Sequence, residues 1–352
     1  MVKKEGLMEA YTIKEAAEIL GISENALRFY EKKKLLHPKR LDNGYRQYDA
    51  LELTKAQMII LYRKFNFSID AIDTMMNSED TVLDIFVKQY YTINKTLRQC
   101  KQMQSSLLKC INSLLAEEQT DCISYMRDVL LESRDWEDEW NFDEWAKTYD
   151  KSIRRPAKGL PFYKHYDEVL NLCVKELPLK GVIADIGIGT GNLTKCIMKC
   201  YPKARVIGVE PSLSMCRICK KKLPEVPLRL GHFLELPFSD HEADAIVSSY
   251  AFHHCHKEDQ HQAIQEMNRV LSENGICIIA DVMFNDEEDK ESYGRKCTPL
   301  QRKELYNEHF ALLSDIERYF LQEGFNCVKK QIDELLWIII AKKVKNSETA
   351  AK

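Results

Sequence analysis

An acidic residue followed by three glycines could form a nucleoside-binding loop in the second half of the chain. Asp185 closes an apolar stretch, residues 182–185, and Gly187, Gly189 and Gly191 follow at alternate positions. A dinucleotide loop has instead the spacing Gly-x-Gly-x-x-Gly, which places a pyrophosphate at a helix N-terminus. The loop therefore suits a ligand without phosphate, which the glycine backbone approaches closely, and Asp185 would suit a positive charge on that ligand.

A second carboxylate stands where a nucleoside would need one. Glu210 ends the next apolar stretch, residues 205–210, nineteen residues after Gly191, and Pro211 follows it. A carboxylate at this strand tip can accept hydrogen bonds from both ribose hydroxyls. Two later segments carry the other candidates for the same ligand, which are His232, Phe233 and Ser249.

The order of the elements around these residues indicates the fold of the second half. Extended stretches alternate with helical stretches from residue 182 to residue 281. Such alternation builds βαβ units and a parallel, doubly wound sheet. Two further stretches, residues 325–330 and 335–341, are expected as neighbouring strands that close one edge of the sheet.

The first half of the chain has a different pattern. Thr12 and Glu15 form a capping box for a short helix, Gly21 ends that helix, and Ser23 caps a second one. The sequence Asp-Asn-Gly at residues 42–44 predicts a hairpin, because Asn-Gly accepts the positive φ angles of a tight turn. Two short helices joined by a glycine turn and followed by a small wing indicate a helix-turn-helix.

Composition describes a soluble protein with two domains and a connector. The 352 residues are 45% hydrophobic and 30% charged. The sequence has no run of about 18 apolar residues and no cleavable signal, so we expect a cytoplasmic protein with no membrane partner. The net charge of −3 hides a local excess, since residues 28–46 contain seven Lys or Arg and two acids. A basic segment of this kind suits phosphate groups.

Cysteine usage argues against disulfides and against a metal centre. The twelve cysteines are scattered over the chain rather than arranged as a small secreted framework. The pairs Cys196 with Cys200 and Cys216 with Cys219 fall within expected helices, where they would pack as small apolar residues. We therefore predict no metal site. The alternative is a metal or redox role for these pairs together with the run His253-His254-Cys255-His256.

A long helix is predicted between the two halves, because residues 78–117 contain neither Gly nor Pro. Ten positions recur at steps of three and four, with Gln104 as a polar register marker. A lone helix cannot bury such a seam, so we expect a homodimer through residues 80–117. Packing of the stripe on its own domain is the alternative. The seam comprises Leu83, Phe86, Tyr90, Ile93, Leu97, Cys100, Gln104, Leu107, Ile111 and Leu114.

The first half resembles the MerR family of transcriptional regulators over residues 10–118. The motifs that carry the resemblance are Leu27-Arg28-Phe29-Tyr30-Glu31, Leu35-Leu36, Gly44-Tyr45-Arg46-Gln47-Tyr48 and Phe67-Ser68-Ile69. The resemblance implies a dimer that binds double-stranded promoter DNA and distorts it, so that RNA polymerase can use the site. Arg28 and Tyr30 would lie on or beside the recognition helix. The wing would be braced against the DNA backbone by Arg40, Tyr45, Arg46 and Tyr48.

Two positions depart from the MerR pattern. Lys34 and Asn66 stand where the family usually has Gly. Asn accepts a left-handed backbone easily, whereas Lys34 is expected to carry a strain of about 1 kcal/mol.

The second half is similar to the class I methyltransferases over residues 140–342, and within them to enzymes that act on small molecules. The acid with its three glycines and the Glu210-Pro211 pair carry the resemblance. It implies that S-adenosylmethionine is the methyl donor and that Tyr149 lies near its methionine end, on a helix that folds over the donor. His232 stands where an Asp often receives the adenine amino group, and the backbone of Phe233 would read the ring edge.

The acceptor is expected to be a small molecule. Enzymes that methylate amino groups of DNA carry an Asp/Asn-Pro-Pro-aromatic tetrad after the fourth strand, whereas residues 249–252 here are Ser-Tyr-Ala-Phe. Methyl transfer from a sulfonium is a direct displacement, and alignment of the two reactants supplies most of the rate. If a base is required, His254 is the first candidate and Tyr149 the second.

These observations predict a two-domain α+β protein. Its N-terminal part is an all-α winged helix-turn-helix with a long coiled-coil helix, and its C-terminal part is an α/β Rossmann-like doubly wound sheet. The predicted boundaries are residues 8–77 for the DNA-binding domain, 78–118 for the dimerisation helix, 119–140 for a linker and 141–345 for the methyltransferase domain. A regulator whose donor pocket is a non-catalytic sensor, and an enzyme whose N-terminal domain serves only dimerisation, are the alternatives.

Overall fold

The structure is a computed structural model that describes residues 10–77, 82–115 and 141–344, apart from residues 156, 158 and 179. The chain divides into two compact units, Met1–Asp135 and Trp136–Lys352. The predicted linker, residues 119–140, lies outside the described residues. Residues 78–81 and 116–118 of the predicted dimerisation helix lie outside them as well. The domain boundaries therefore stay predictions.

The first unit contains helices and a small antiparallel sheet whose strands follow the order β1-β3-β2. Its apolar core is formed by residues of α1 to α4 and of the wing. Its described elements are β1 (Tyr11–Thr12), α1 (Ile13–Leu20), α2 (Glu24–Lys32), β2 (Lys39–Arg40), β3 (Arg46–Tyr48), α3 (Ala50–Lys64), α4 (Ile69–Asn77) and α5 (Val82–Leu115).

Local capping signals place the helix ends as predicted. The hydroxyl of Thr12 accepts the N–H of Glu15, whose carboxylate accepts the N–H of Thr12 at 2.8 Å, which is a complete capping box. Gly21 ends α1 with a φ of 65°. Ser23 caps α2 through the N–H of Ala26.

The wing is a hairpin, as predicted, but its turn differs in one detail. Lys39 pairs with Gln47 across it, and the N–H of Leu41 donates to the carbonyl of Tyr45 at 2.9 Å. Gly44 has a φ of 82°, whereas Asn43 is not among the residues with positive φ. The side chain of Asn43 instead accepts the N–H of Tyr45 at 3.1 Å, so this residue stabilises the turn through its amide rather than through a left-handed backbone.

Two non-glycine residues hold left-handed backbone angles in the first unit. Lys34 has a φ of 61° and Asn66 a φ of 62°, at the two positions where the sequence predicted them. Leu35 and Leu36 follow Lys34 and are both buried. The turn is therefore fixed by burial of the leucine pair, which outweighs the local cost of the lysine backbone.

The long helix α5 carries its predicted seam on an exposed face. It spans 34 residues. Exposure of the described large apolar seam side chains ranges from 38% at Tyr90 to 54% at Leu83. Polar contacts tie the start of α5 to its own unit, since the side-chain amide of Gln89 donates to the carbonyl of Phe65 at 2.8 Å. Phe86 contacts Phe67 of its own unit at 5.1 Å, and the seam side chains that the structure describes stay partly exposed within one chain.

The second unit alternates strands and helices as predicted. Several of its helices were not predicted, and neither was the short strand β6. The described elements are α6 (Phe142–Trp145), α7 (Tyr149–Ser152), α8 (Tyr166–Glu176), β4 (Val182–Ile186), α9 (Asn192–Cys200), β5 (Arg205–Glu210), α10 (Leu213–Lys222), β6 (Leu228–Leu230), β7 (Ala243–Ser249), α11 (Gln260–Val270), β8 (Leu271–Phe284), α12 (Glu287–Lys296), α13 (Pro299–Asn307), β9 (Ala311–Leu312), α14 (Leu313–Gln322), β10 (Phe325–Gln331) and β11 (Leu336–Lys343).

These strands form one doubly wound sheet. Its order is β10-β11-β8-β7-β4-β5-β6, and β9 pairs with β8. The strands from β6 to β8 are parallel, and β11 and β10 add antiparallel at one edge, as predicted for the two final strands. Consecutive residues such as Ile183 and Ala184 belong to different apolar clusters, so both faces of the sheet are covered. Among the described helices, none has the length and apolarity to span a bilayer.

We expect Lys34→Gly to stabilise the first unit relative to Lys34→Ala by about 1 kcal/mol, because alanine keeps the left-handed penalty and glycine does not. Gln57, exposed within α3, provides the matched control. There, glycine should be less stable than alanine by about 1 kcal/mol. Native-state hydrogen exchange of α2 and α3 measures both differences, and the same order at both positions would contradict the strain at Lys34.

Candidate functional site

The glycine loop after β4 turns back on the end of β5. Its three glycines, Gly187, Gly189 and Gly191, have φ angles of 72°, 56° and 87°. The N–H groups of Gly187 and Ile188 donate to the carbonyl of Val209 at 2.9 and 3.1 Å. The loop is therefore fastened to the neighbouring strand by its own backbone.

The three glycines have different surroundings. A Cβ on Gly187 would lie 2.4 Å from Cβ of Ala251, and one on Gly191 would lie 2.8 Å from Sγ of Cys219. At Gly189 the nearest atom in the described part of the chain is the carbonyl oxygen of Gly187, at 3.9 Å. Gly187 and Gly191 thus serve packing, whereas Gly189 borders open space that a ligand can fill.

Glu210 joins the loop to the tip of β5. One carboxylate oxygen accepts the N–H of Gly189 at 2.9 Å, and the other accepts the N–H of Ser212 at 3.0 Å. The side chain is buried, and this burial raises its pKa to about 7 against the effect of the two N–H donors. The charges of Asp185 and Asp143 raise the pKa further. Each carboxylate oxygen keeps a second lone pair for another donor.

Asp185 is buried and bonded to the helix that follows the glycine loop. It is 1% exposed, and its carboxylate accepts the hydroxyl of Thr194 in α9 at 2.6 Å. Burial raises the pKa of Asp185 to about 7, and Thr194 opposes that shift. Asp185 thus ties the end of β4 to the first turn of α9, and its interaction with the positive charges of a ligand stays a prediction.

A cap segment, residues 142–153, lies against the same crevice. One carboxylate oxygen of Asp143 accepts the hydroxyl of Ser212 at 2.6 Å and the N–H of Ser214 at 3.1 Å. These donors belong to the N-terminus of α10, where a negative charge is favourable. Asp143 thus docks the start of the cap segment on α10 of the same unit.

Asp150 fastens the other end of the cap segment. Its carboxylate accepts the hydroxyl of Thr190 at 2.7 Å and the amide of Asn192 at 3.0 Å, and it pairs with Lys222. Burial raises the pKa of Asp150, but Lys222, Thr190 and Asn192 outweigh it and lower the net value. Neither Asp143 nor Asp150 was predicted as a site residue, because their partners lie 40 or more residues away.

Tyr149 occupies the inner side of the cap segment. Its ring lies 4.8 Å from Trp145 and 6.5 Å from Tyr163, centroid to centroid. Burial and then the neighbouring Tyr163 raise the pKa of Tyr149 well above its usual value. The phenol therefore stays protonated at neutral pH and suits donation of a hydrogen bond rather than abstraction of a proton.

The remaining predicted ligand contacts lie at the carboxyl ends of neighbouring strands. His232 is buried after β6, and its Nδ1 accepts the N–H of Leu234 at 3.3 Å. Phe233 packs edge-on against Phe252 at 5.4 Å. Ser249 ends β7, and Pro211 follows the tip of β5; both are half-buried. The sheet thus brings to one edge residues that the sequence spreads over more than 60 positions.

The segment after β7 carries the predicted base. Burial lowers the pKa of His254 well below its usual value, and the neighbouring His253 and His309 lower it further. Its ring contacts Phe142 of the cap segment at 4.8 Å. His254 is therefore a neutral imidazole beside the cap, whereas its role as a base stays a prediction.

His253, which was not among the predicted site residues, has the stronger partner. Nδ1 of His253 lies 2.7 Å from one carboxylate oxygen of Asp281, and the backbone N–H of His253 donates to the other oxygen at 3.1 Å. Burial lowers the pKa of His253, and Asp281 more than offsets that effect. Asp281 ends the predicted part of β8, but its partner is 28 residues away.

In the first unit, the predicted DNA-contacting arginines are organised by acidic neighbours. Arg40 and Arg46 both bind Glu31, at 2.8 and 2.5 Å, and Arg28 binds Glu24 at 2.6 Å. Two arginines around one glutamate leave a net positive charge at the base of the wing. That charge is available to a phosphate group.

The predicted tyrosines separate into exposed and buried ones. Tyr45 at the wing tip is 72% exposed, and Tyr30 is half-buried beside Phe29. The prediction for Tyr48 is corrected, because this residue is 0% exposed and belongs to the apolar core. It ends β3, opposite Tyr11 of β1. From that position Tyr48 supports the wing and cannot reach a phosphate.

The doubly wound sheet, the glycine loop and the carboxylate at the second strand tip define a class I methyltransferase domain. A family model for a methyltransferase domain matches residues 184–279, and one for a MerR HTH family regulatory protein matches residues 11–79. The chain belongs to this methyltransferase family and carries a MerR-type helix-turn-helix at its N-terminal side.

Individual relatives match the second unit. An uncharacterised methyltransferase of Oceanobacillus iheyensis is 34% identical over 212 residues, which are 58% of this chain and 96% of that protein. One of Alkaliphilus oremlandii is 35% identical over 212 residues, covering 57% of this chain and 95% of its own length. Among solved structures, the YcgJ protein of Bacillus subtilis is 19% identical and covers 51% of this chain and 100% of its own, with a TM-score of 0.41.

Proposed function

We propose that the second unit binds S-adenosylmethionine between the glycine loop and the tip of β5. The observation that carries the proposal is the carboxylate of Glu210, which is bonded to Gly189 and keeps lone pairs for two ribose hydroxyls. The open space beside Gly189 fits a close ligand. His232 and the backbone of Phe233 are proposed to contact the adenine, and Tyr149 the methionine part.

We propose a small molecule as the methyl acceptor. A cleft of about 940 Å³ opens beside the cap segment, a volume in the range of small-molecule sites. Its wall includes Phe162, whose ring is parallel to that of His253 at 6.3 Å, and Tyr163, which contacts Tyr149. The wall of the cleft therefore contacts Tyr149 and His253, and His253 is the chain neighbour of His254. We propose Tyr149 and His254 for the acceptor side.

The donor supplies a methyl group activated on a sulfonium, and the chain supplies position. Asp143 and Asp150 hold the cap segment at two points over the crevice. A cap fastened in this way limits water and fixes the rings of Trp145 and Tyr149 beside the ligand. Transfer to a small molecule requires no further covalent step on the protein.

We expect donor affinity to fall about tenfold from pH 8 to pH 6. The pKa of Glu210 is raised to about 7, while hydrogen bonds from ribose hydroxyls favour its ionised form, so binding weakens as pH falls through that pKa. Isothermal titration at both pH values measures the effect. Glu210→Gln should weaken binding about 10- to 100-fold at pH 8 and remove this component of the pH dependence. No heat with the parent protein would remove the donor site.

A second experiment separates the enzyme from a sensor. Labelled S-adenosylmethionine is incubated with the protein and a metabolite extract, and a methyltransferase should transfer label to a small molecule. Glu210→Gln should lose transfer at donor concentrations below its weakened Kd. Binding of the donor without transfer would support the alternative, a regulator whose pocket only senses the ligand.

We propose that the first unit binds double-stranded promoter DNA and affects RNA polymerase indirectly, with the acceptor as effector. Arg46→Ala should weaken binding to duplexes of any sequence and lower the slope of log affinity against log salt by about 1, because one phosphate contact is lost. Lys88→Ala, on the exposed face of α5, is the control. Fluorescence anisotropy over a salt series measures both. An unchanged slope for Arg46→Ala, or no binding by the parent, would favour a domain that serves only dimerisation.

We propose that α5 pairs with α5 of a second copy. Exposed apolar residues such as Leu97 (48%) and Leu107 (52%) need a partner surface. Leu97→Glu should shift the protein from a dimer to a monomer in light scattering, whereas Thr96→Glu, next to it and off the seam, should not. A monomeric parent protein would show that the seam does not pair.

A further inference from the structure

Two histidines and a glutamate lie close together beside the crevice, and donor binding as proposed requires no joint role for them. His253 and His254 stand in the 3-10 turn Phe252–His254 after β7, and Glu308 follows α13. One ligand atom of each lies within 4.8 Å of the other two. Nδ1 of His254 lies 3.9 Å from a carboxylate oxygen of Glu308. We call these three residues the His-His-Glu cluster.

An outer carboxylate orients the first histidine. Asp281 is 1% exposed, and one oxygen of its carboxylate lies 2.7 Å from Nδ1 of His253. With Nδ1 engaged in this way, Nε2 of His253 carries the lone pair. Metal-binding histidines are held in the same manner, by a carboxylate that fixes the tautomer and the ring direction.

The surroundings of the cluster are apolar on several sides. Phe142 lies edge-on to His254 at 4.8 Å, and Phe310 lies 5.8 Å from His253. The side chains of the cluster are 9%, 17% and 18% exposed for His253, His254 and Glu308. Two carboxylates, Asp281 and Glu308, thus lie with two imidazoles where water is scarce. Buried charges of one sign are costly unless a counter-charge accompanies them.

We propose that the His-His-Glu cluster binds a divalent first-row transition metal ion such as Zn²⁺ or Co²⁺. Two neutral imidazoles and one carboxylate form a donor set that such ions prefer, and they leave coordination positions open. Mg²⁺ and Ca²⁺ prefer oxygen ligands and are disfavoured by two imidazoles. A dipositive ion also balances the charges of Asp281 and Glu308.

The sequence predicted no metal site, and its metal alternative grouped His253 and His254 with cysteines rather than with Glu308. Glu308 lies 54 residues beyond His254, and the sheet and α13 bring them together. The proposal stands on this geometry and does not depend on donor binding. An ion at the cluster would polarise a hydroxyl or thiol that coordinates to it and lower its pKa.

The test uses full-length protein without a histidine tag, with a reductant that does not bind metals. Co²⁺ alone is titrated and followed by its visible d–d absorption, and Zn²⁺ alone is titrated by calorimetry. One ion per chain is expected. Glu308→Gln and His254→Ala should each lower affinity by more than the 10- to 100-fold typical of an outer partner, and Asp281→Asn by about 10- to 100-fold.

His261→Ala is the matched control, because His261 binds Glu323 at 3.3 Å in the same unit and should leave affinity unchanged. Circular dichroism and the melting temperature identify variants that fail to fold. Because Glu308 is partly exposed, Glu308→Gln is the variant expected to disturb folding least. No binding by the parent, or binding that survives both Glu308→Gln and His254→Ala in folded protein, overturns the proposal. Thiolate-to-Co²⁺ charge-transfer bands would assign the ion to cysteines and also overturn it.

Discussion

The crevice depends on the side-by-side ends of two parallel strands. Asp185 pairs with Gly208 and Ile186 with Val209, so the loop that leaves β4 meets the tip of β5. The carbonyl of Val209 and the carboxylate of Glu210 then take backbone N–H groups of that loop. A shift of one residue in this register would turn Glu210 to the other face of the sheet. The glycine motif and the distant glutamate are therefore one structural unit.

Charge at this unit favours a cationic ligand. Asp143, Asp185 and Glu210 act on one another, and burial raises the pKa of both Asp185 and Glu210 to about 7. A ligand with a positive centre relieves the repulsion among these carboxylates, whereas a pyrophosphate would add to it. The same acids also hold the protein together, because Asp143 satisfies donors at the N-terminus of α10. The same negative charges thus serve both ligand binding and packing within the protein.

Short-range signals were readable from the sequence, and long-range pairs were not. The capping box of Thr12 and Glu15 depends on residues within a few positions, so local chemistry decides it. Alternation of element types was enough to predict the sheet. The pair His253 and Asp281 depends on strand order and on where each strand ends, and no local pattern encodes it. Tyr48 shows the converse error, since a motif shared with a family does not reveal which face of a strand is buried.

The acceptor side decides whether the crevice is catalytic. Tyr149 keeps its proton and His254 is neutral at pH 7, so neither supplies a strong base. A methyl acceptor that is already nucleophilic, such as an amine or an ionised thiol, needs alignment alone. An alcohol needs its proton removed, and in this site a cation held by His253 and Glu308 would have to lower the pKa of that alcohol. If the protein binds the donor and takes neither kind of acceptor, no nucleophile attacks the sulfonium methyl group. The protein is then a sensor.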